Sequence, residues 1–225
     1  MFYADYSVLL APSPHALQKL VAICEEFATS NDILYNVKKS FVMCVRPKNL
    51  KHLFMPSCYL YSNVLNQSES HKYLGVFLNE QCNDDMDILR QKKGIFARGN
   101  ILIDRFKHCS PEVKVQLFKS YCSSLYCSQL WCNYSKASYN SLCVAYNKVY
   151  RFLMKADTYC SISNHMVTNN VDSMRCLQRK YIASFIKRVE MSSNLLVKTI
   201  TGSYFYCFNS SLVKKWHTLL TVPKV

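Results

Sequence analysis

Glycine and proline are scarce in this sequence, which contains four glycines and six prolines among 225 residues. Half of the residues are apolar, so the chain is predicted to fold around a real core, as one domain or two small ones, and not to be disordered. The glycines are too few to build a phosphate-binding loop, and no G-x-G-x-x-G, Walker loop or nucleophile elbow is present. These absences exclude dinucleotide-binding, P-loop and α/β-hydrolase sites.

Long apolar runs are also lacking, and no basic region precedes an apolar core at the N-terminus. We therefore expect an intracellular protein, cytoplasmic or nuclear, without a signal peptide or transmembrane segment. Its twelve cysteines are then expected to stay reduced. They form no C-x-x-C pair, and Cys122, Cys127 and Cys132 recur every five residues, which scatters them around a helix. Buried apolar cysteines are favoured over a zinc site.

Acidic residues are half as frequent as basic ones, with 14 against 28, and the imbalance is not uniform along the chain. Residues 1–80 hold 7 basic and 6 acidic side chains, whereas residues 81–225 hold 21 and 8. Such a balance suits nucleic acid or an anionic membrane surface, and it also suits a solvated surface that keeps a chain in solution. A polyanion is expected to bind the second part of the chain.

The chain opens with residues 2–6 (FYADY), which run into the apolar segment at residues 7–11 (SVLLA). The β-prone residues on both sides predict that Asp5 lies at the tip of a tight turn between two strands. Asp5 is then either an ordinary turn residue or a presented metal ligand. The segment resembles motif C of reverse transcriptases, the Tyr-Ala-Asp-Asp turn of the palm domain, except that Tyr6 replaces the second aspartate.

Further motifs follow in the order of the same family. Residues 36–40 (NVKKS) resemble motif D, in which a lysine, here Lys39, approaches the triphosphate. Tyr73, Leu74 and Gly75 resemble the motif E strand that grips the primer end. Later positions resemble the thumb and the C-terminal helical region, namely Tyr126, Trp131, residues 145–147, Arg151, Ser161 and Ser163. The chain thus resembles the C-terminal part of a non-LTR (LINE-type, jockey-like) retrotransposon reverse transcriptase, from palm motif C through the thumb.

The expected fold class is α+β and mostly α. The resemblance implies a palm remnant with a small antiparallel sheet and one helix at residues 1–80, thumb helices at 81–135, and a C-terminal helical region at 136–225. Local signals agree with helices that begin at Ser13-Pro14 and Ser110-Pro111 and with short strands within residues 53–78.

Helical periodicity also predicts which side chains are buried. In the helix that starts near Asn83, Met86, Leu89, Phe96 and Ile103 share one face. In the helix that starts at Ser110, the expected inward residues are Val113, Leu117, Tyr121 and Leu125.

Candidate nucleic-acid contacts come from the basic residues of these helices. Arg98 and Arg105 are predicted to project away from the apolar face of their helix, where phosphates could reach them. Lys148, Arg151 and Lys155 are predicted to share another helical face. Two aromatic residues nearby, Tyr146 and Tyr150, are candidate stacking groups. With the motif E residues Tyr73, Leu74 and Gly75, these residues make up the predicted binding surface for RNA, an RNA–DNA hybrid or DNA.

The resemblance implies an RNA-directed DNA polymerase that uses Mg²⁺ held by carboxylates from separate palm strands. Here Asp5 is the single carboxylate of motif C, and the fingers and motifs A and B are not found in the sequence. We therefore expect a truncated, catalytically inactive reverse transcriptase domain with residual binding to nucleic-acid backbone. The alternatives are the product of a relic open reading frame without selected activity, a mis-started piece of a full-length active enzyme, and a polymerase completed by a partner chain.

An apolar strand without neighbours also predicts self-association. Val8, Leu9 and Leu10 are expected to form an exposed strand edge, which favours pairing with another chain.

Overall fold

The computed structural model describes residues 2–3, 6–46 and 55–221, with Phe2 and Tyr3 described by their backbone alone. The chain forms two compact units, Met1–Cys82 and Asn83–Val225, here called the N-terminal unit and the helical unit. The structure is mostly helical with a few small sheets, which confirms the coarse fold class of mostly α with some β.

The N-terminal unit contains short strand pairs and one long helix. Its elements are β1 (Phe2–Tyr3), β2 (Tyr6–Ser7), α1 (Pro14–Ser30), a 3₁₀ turn (Val37–Lys39), β3 (Phe41–Val42), β4 (Tyr59–Leu60), β5 (Asn63–Val64), β6 (Asn66–Gln67), β7 (Ser70–Tyr73) and β8 (Val76–Asn79).

The expectation of one small antiparallel sheet is wrong for the residues that the structure describes. The strands form four separate pairs: β1–β2, β4–β5 and β7–β8 are antiparallel, whereas β3–β6 is parallel. A parallel pair needs a long connection, and the stretch between Val42 and Asn66 provides one. The predicted continuation of β2 through residues 8–10 is also wrong, because β2 ends at Ser7. Self-association through that edge stays a prediction, because residues 8–10 do not form the strand on which it was based.

Helix α1 begins where the sequence predicts. Ser13 caps it by accepting a hydrogen bond from the Ala16 backbone N–H at 3.2 Å, and Pro14 occupies the first helical position. Val21 of α1 packs in a small core that also contains Val42, Cys58, Leu60 and Leu65.

The helical unit begins after Cys82. Its elements are α2 (Asp85–Arg105), α3 (Pro111–Cys122), a 3₁₀ turn (Ser128–Leu130), α4 (Lys136–Met154), α5 (Ile162–Thr168), α6 (Met174–Glu190), α7 (Leu195–Thr201), a π-helical turn (Phe205–Asn209) and α8 (Ser211–Thr221). Helices α2, α3, α4 and α6 enclose one core, so the helices on the two sides of the expected division at residue 135 pack together.

Helices α2 and α4 approach each other closely at Gly99. A Cβ atom on Gly99 would lie 2.3 Å from Cγ1 of Val149, so only glycine fits at this crossing. Helix α2 runs unbroken through both Gly94 and Gly99.

The predicted inward faces of α2 and α3 are only partly right, because the buried stripe of each helix is rotated about the helix axis. In α2, Phe96 and Ile103 pack against the core as expected. Met86 and Leu89 are 42% and 46% exposed, and the buried residues of α2 are instead Asp87, Ile88, Gln91, Ile95, Gly99 and Leu102. In α3, Val113 and Tyr121 are 45% and 53% exposed, while Leu117 packs at the edge of the core. Leu125 is buried as expected, but it lies beyond the end of α3 at Cys122. More than one apolar stripe fits each helix, and the partner helices select among them.

All twelve cysteines are free thiols. Among the described residues, no helix is long and apolar enough to cross a membrane.

Candidate nucleic-acid interface

The predicted motif C turn lies between β1 and β2. Tyr3 pairs with Tyr6 in antiparallel register, in agreement with a hairpin, but Asp5 lies outside the described residues. Tyr6 is 51% exposed, and its ring meets the ring of Tyr73 edge-on with centroids 6.3 Å apart. Within residues 6–46 and 55–221, no three His, Cys, Asp or Glu side chains are grouped in a way that could hold a metal ion.

The motif E residues form the tight turn of the β7–β8 hairpin. Tyr73 pairs with Val76, and the two residues between them have positive φ, 45° at Leu74 and 82° at Gly75. Two consecutive positive φ values define a type I′ turn, whose twist matches that of the strands it joins. Glycine adopts this conformation freely, whereas Leu74 adopts it at a cost of about 1 kcal/mol.

Lys39 lies at the end of the 3₁₀ turn that precedes β3. The Asn36 side chain caps this turn by accepting a hydrogen bond from the Lys39 backbone N–H at 3.2 Å, and the lysine side chain is exposed. The next residues connect this segment to β7, because the rings of Phe41 and His71 are in contact, tilted by 34° with centroids 3.5 Å apart. Burial lowers the pKa of His71 below its ordinary value, which favours the neutral ring in this contact.

Ring contacts therefore bring the segments matched to motifs C, D and E around one strand. Tyr6 meets β7 at Tyr73, and Phe41 meets it at His71. Sequence spacing alone could not place these three segments together.

Arg98 does not project into solvent as predicted. It lies on the buried side of α2 between Ile95 and Leu102, and its side chain folds back over Gly94. Its Nε and Nη2 atoms are buried without a hydrogen-bond partner among the described residues. Burial raises the pKa of the neighbouring Cys122 thiol to about 11, and the positive charge of Arg98 opposes that rise. The prediction for Arg98 fails because the face of α2 was misassigned, whereas Arg105 at the end of the helix is exposed.

Arg151 is also engaged within the protein. Its guanidinium donates to the backbone carbonyls of Asp157, Thr158 and Cys160, with Nη1 at 3.1 Å from the Thr158 oxygen and Nη2 at 3.1 Å from that of Cys160. It therefore holds the loop after α4, and its donors are not directed toward a nucleic acid.

The candidate stacking residues Tyr146 and Tyr150 are fully buried, so that prediction is wrong. The Tyr146 hydroxyl lies 3.0 Å from the Ser123 hydroxyl and donates to the Asp172 carbonyl at 3.1 Å, and the Tyr150 hydroxyl lies 3.0 Å from Nδ1 of His165. Tyrosine is amphipathic, and here the core uses its ring while a polar partner satisfies its hydroxyl.

Lys155, one of the two remaining predicted lysines, lines a groove between the C-terminal parts of α2 and α4. This α2–α4 groove has a volume of about 380 Å³ and is lined by Asn100, Ile103, Asp104, Lys107, Phe152, Leu153 and Lys155. Phe152 is 54% exposed, and Lys148 lies with its Nζ 5.7 Å from the centroid of that ring. Lys107 was not predicted, because its place beside Lys155 depends on how the two helices cross.

Charge at the groove is mixed but predominantly positive. Lys107, Lys148 and Lys155 have exposed side chains, and Asp104 contributes the one carboxylate of the lining. Lysines near the C-terminal ends of helices also offset the negative end of the helix dipole, which accounts for part of their placement. An exposed aromatic ring between ammonium groups is suited to a nucleotide, with the base on the ring and the phosphates at the lysines.

The structure adds an aromatic surface that was not predicted. Tyr204, Phe205 and Phe208 are 73%, 69% and 64% exposed around the π-helical turn. This surface could have been predicted from the sequence, because residues 204–208 (YFYCF) hold four aromatics and no acidic residue follows Glu190. Of the two thumb positions matched earlier, Tyr126 is 54% exposed, whereas Trp131 is buried and donates from Nε1 to Asp87 at 2.9 Å.

Comparison with known proteins found no match among family models, curated proteins or solved structures.

Proposed function

We propose that this chain binds the backbone of nucleic acid through its helical unit, without preference for base sequence. The α2–α4 groove is the observation that carries the proposal, because exposed Lys107 and Lys155 line it together with the exposed ring of Phe152, and Lys148 lies beside that ring. The helical unit as a whole carries 21 basic and 8 acidic residues. Such a unit attracts a polyanion, and the groove supplies the local contacts.

We further propose that the chain derives from a non-LTR retrotransposon reverse transcriptase, with the palm from motif C onward in the N-terminal unit and the thumb in the helical unit. The contacts of Tyr6 with Tyr73 and of Phe41 with His71 support this origin. A polymerase needs its metal-binding turn, its triphosphate lysine and its primer grip close together, and these contacts group the corresponding segments.

Catalysis is not part of the proposal, because the residues do not fit the Mg²⁺ that the family uses. Tyr6 stands at the position of the second carboxylate, and its ring is engaged with Tyr73. Mg²⁺ binds carboxylate oxygens in preference to a neutral phenol. We expect no primer extension with Mg²⁺ or Mn²⁺, and none after Tyr6→Asp, because motif A, which supplies a carboxylate from another palm strand, is not found in the sequence. Template-dependent incorporation by Tyr6→Asp above the level of an Asp5→Ala variant would contradict this.

The binding proposal is tested by charge reversal in the groove. Lys107→Glu with Lys155→Glu should weaken binding to single-stranded RNA, an RNA–DNA hybrid and duplex DNA at least about tenfold, because two phosphate contacts become repulsive. The slope of log affinity against log salt should become shallower by roughly one unit or more. Fluorescence anisotropy at roughly 50 to 200 mM salt measures both quantities.

The matched control is Lys19→Glu with Lys38→Glu, which reverses two exposed lysines of the N-terminal unit. It makes the same change in net charge, so a loss of affinity as large as that of the groove variant would assign binding to net charge and not to the groove. If the unmodified chain shows no affinity for any of the three ligands at low salt, the proposed function is wrong.

A further inference from the structure

The last part of the helical unit combines exposed aromatic rings with an absence of negative charge. After Glu190 the sequence contains four lysines and no acidic residue. Within this stretch Tyr204, Phe205 and Phe208 expose 64% to 73% of their surface. Single exposed apolar side chains are common on protein surfaces, but three aromatic rings within five residues are not explained in that way.

The rings are held by a defined backbone and not by a loose tail. The Tyr206 backbone N–H donates to Oγ of Ser203 at 3.2 Å, and Tyr206 itself is partly buried, which raises the pKa of its hydroxyl. The rings of Tyr204 and Phe208 lie 4.9 Å apart at an angle of 33°. The segment is a π-helical turn, a conformation that is uncommon and often found at functional sites.

Helix α8 follows this turn and is fixed to the rest of the helical unit. Trp216 is buried, donates from Nε1 to the Gln129 carbonyl at 2.7 Å, and meets the ring of Phe185 edge-on at 5.8 Å. Lys214 of the same helix is exposed. The aromatic turn is therefore continuous with a fixed helix that presents positive charge.

We propose that Tyr204, Phe205 and Phe208 form a stacking surface for the bases of single-stranded nucleic acid. This inference rests on the proposed function and names its preferred ligand. Unpaired bases expose their faces to aromatic rings, whereas the bases of a duplex are stacked on each other and cannot reach them. The lysines of the acid-free segment would meet the phosphates of the same strand. A second copy of this chain is the other candidate occupant, and its own positive charge opposes that pairing.

The experiment compares substitutions that change the ring without changing the apolar bulk. Phe208→Leu and Tyr204→Leu keep an apolar side chain but remove the aromatic face, and Phe208→Trp enlarges it. The control is Phe27→Leu, which removes a 53% exposed ring on α1 next to Glu25 and Glu26. Affinity for oligouridine RNA and for duplex DNA is measured by anisotropy at one salt concentration, and circular dichroism checks that each variant is folded.

The double variant Tyr204→Leu with Phe208→Leu should bind oligouridine at least about tenfold more weakly, while its affinity for duplex DNA should change by less than about twofold. Phe208→Trp should bind oligouridine at least as tightly as the unmodified chain, and Phe27→Leu should have no effect.

Two results overturn the stacking surface. If the double leucine variant retains its affinity for oligouridine while the groove variant Lys107→Glu with Lys155→Glu loses it, the proposed function stands and the stacking surface is wrong. If light scattering shows dimers of the unmodified chain that the double alanine variant Tyr204→Ala with Phe208→Ala abolishes, without a change in oligouridine affinity, the aromatic rings serve self-association. A chain that binds no nucleic acid at all would remove both proposals together.

Discussion

The N-terminal unit and the helical unit differ in motif content, in charge and in the size of their cores. The N-terminal unit holds the segments that resemble polymerase motifs C, D and E, but the core described for it contains five buried side chains. The helical unit holds most of the positive charge, and the core described for it contains nineteen. The unit that holds the motif-like segments therefore has the smaller described core, whereas the unit that holds most of the positive charge is well packed.

This difference bears on what each unit can do. A catalytic constellation must be held to a fraction of an ångström by packed neighbours, whereas backbone binding by lysines tolerates looser geometry. Under the origin and function proposed above, such a chain would lose polymerase chemistry before it lost affinity for nucleic acid. The comparison predicts that substitutions in the core of the helical unit have the largest effects on stability.

The largest effect is expected for Asp87→Ala. Asp87 is fully buried in α2, accepts from Nε1 of Trp131 at 2.9 Å, and accepts from Nε of Arg90 at 2.7 Å. Its removal leaves a buried N–H and a partly buried guanidinium without this acceptor, so the free energy of unfolding should fall by about 3 kcal/mol. Both tryptophans lie in the helical unit, so urea unfolding followed by tryptophan fluorescence reports on that unit.

Asp104→Ala on the exposed side of the same helix is the matched control, and it should change the free energy of unfolding by less than about 0.5 kcal/mol. Equal shifts for the two variants would mean that the buried carboxylate does not support the core of the helical unit.

A smaller effect is expected at the crossing of α2 and α4. In Gly99→Ala the new methyl group would meet Cγ1 of Val149 at 2.3 Å and Cγ2 at 3.0 Å, so the two helices must separate, at a cost of about 1–3 kcal/mol. Gly94→Ala lies in the same helix and meets only the flexible end of Arg98 at 3.3 Å. It should therefore be neutral or stabilise by up to about 1 kcal/mol, because alanine favours a helix over glycine.

Denaturant unfolding of both glycine variants measures this difference directly. A Gly99→Ala variant as stable as Gly94→Ala would show that α2 and α4 are not in close contact at this point.

Thiol labelling of the folded chain compares the two units in one sample. Cys58 in the N-terminal unit and Cys122 in the helical unit are both buried, and burial raises the pKa of both thiols. Each can be alkylated only when its surroundings open, so the labelling rates report the opening free energies. We expect Cys58 to be labelled at least about tenfold faster, because fewer buried side chains surround it.

Mass spectrometry of the labelled peptides resolves the individual sites, and the exposed thiols Cys82 and Cys207 should react first in their respective units. Equal rates at Cys58 and Cys122 would indicate that the two units open in one cooperative event, which would contradict the comparison.

Local chemistry made part of the fold predictable from sequence. The starts of α1 and α3 at Pro14 and Pro111 follow from a serine followed by a proline: the Ser13 side chain caps α1, and proline favours the first helical position in both helices. The inward faces of α2 and α3 depend on partner helices that lie far away in sequence, so periodicity alone misassigned them. Arg98 was misplaced by the same error.

The candidate site was predictable from the sequence only where a basic residue is also exposed in the fold. Lys148, Lys155 and Arg105 are exposed as expected, whereas Arg151 holds a loop that only the folded chain reveals. Asp87 lies in the first turn of α2, where the helix dipole favours negative charge, but its partner Trp131 lies 44 positions further on. The position of such a polar side chain depends on partners that are distant in sequence, and a local sequence pattern does not reveal those partners.

The smallest effect is expected at the surface of the helical unit, for the ion pair of Asp172 with Lys180, whose Oδ2 and Nζ atoms lie 2.6 Å apart. Partial burial raises the pKa of Asp172, but hydrogen bonds from Lys180 and Cys176 and the lysine charge outweigh burial, so the pKa is lowered from its ordinary value of 3.8. An acid whose pKa is lowered on folding contributes stability above its unfolded pKa, and that contribution is lost as the pH falls through the folded value.

Asp172→Asn should therefore lower the melting temperature slightly near neutral pH, and the difference from the unmodified chain should shrink as the pH falls below about 4. Lys180→Met should show the same pH dependence, since it removes the other half of the pair. A difference in melting temperature that persists unchanged into acid would assign the effect of Asp172 to its neutral contacts and not to its charge.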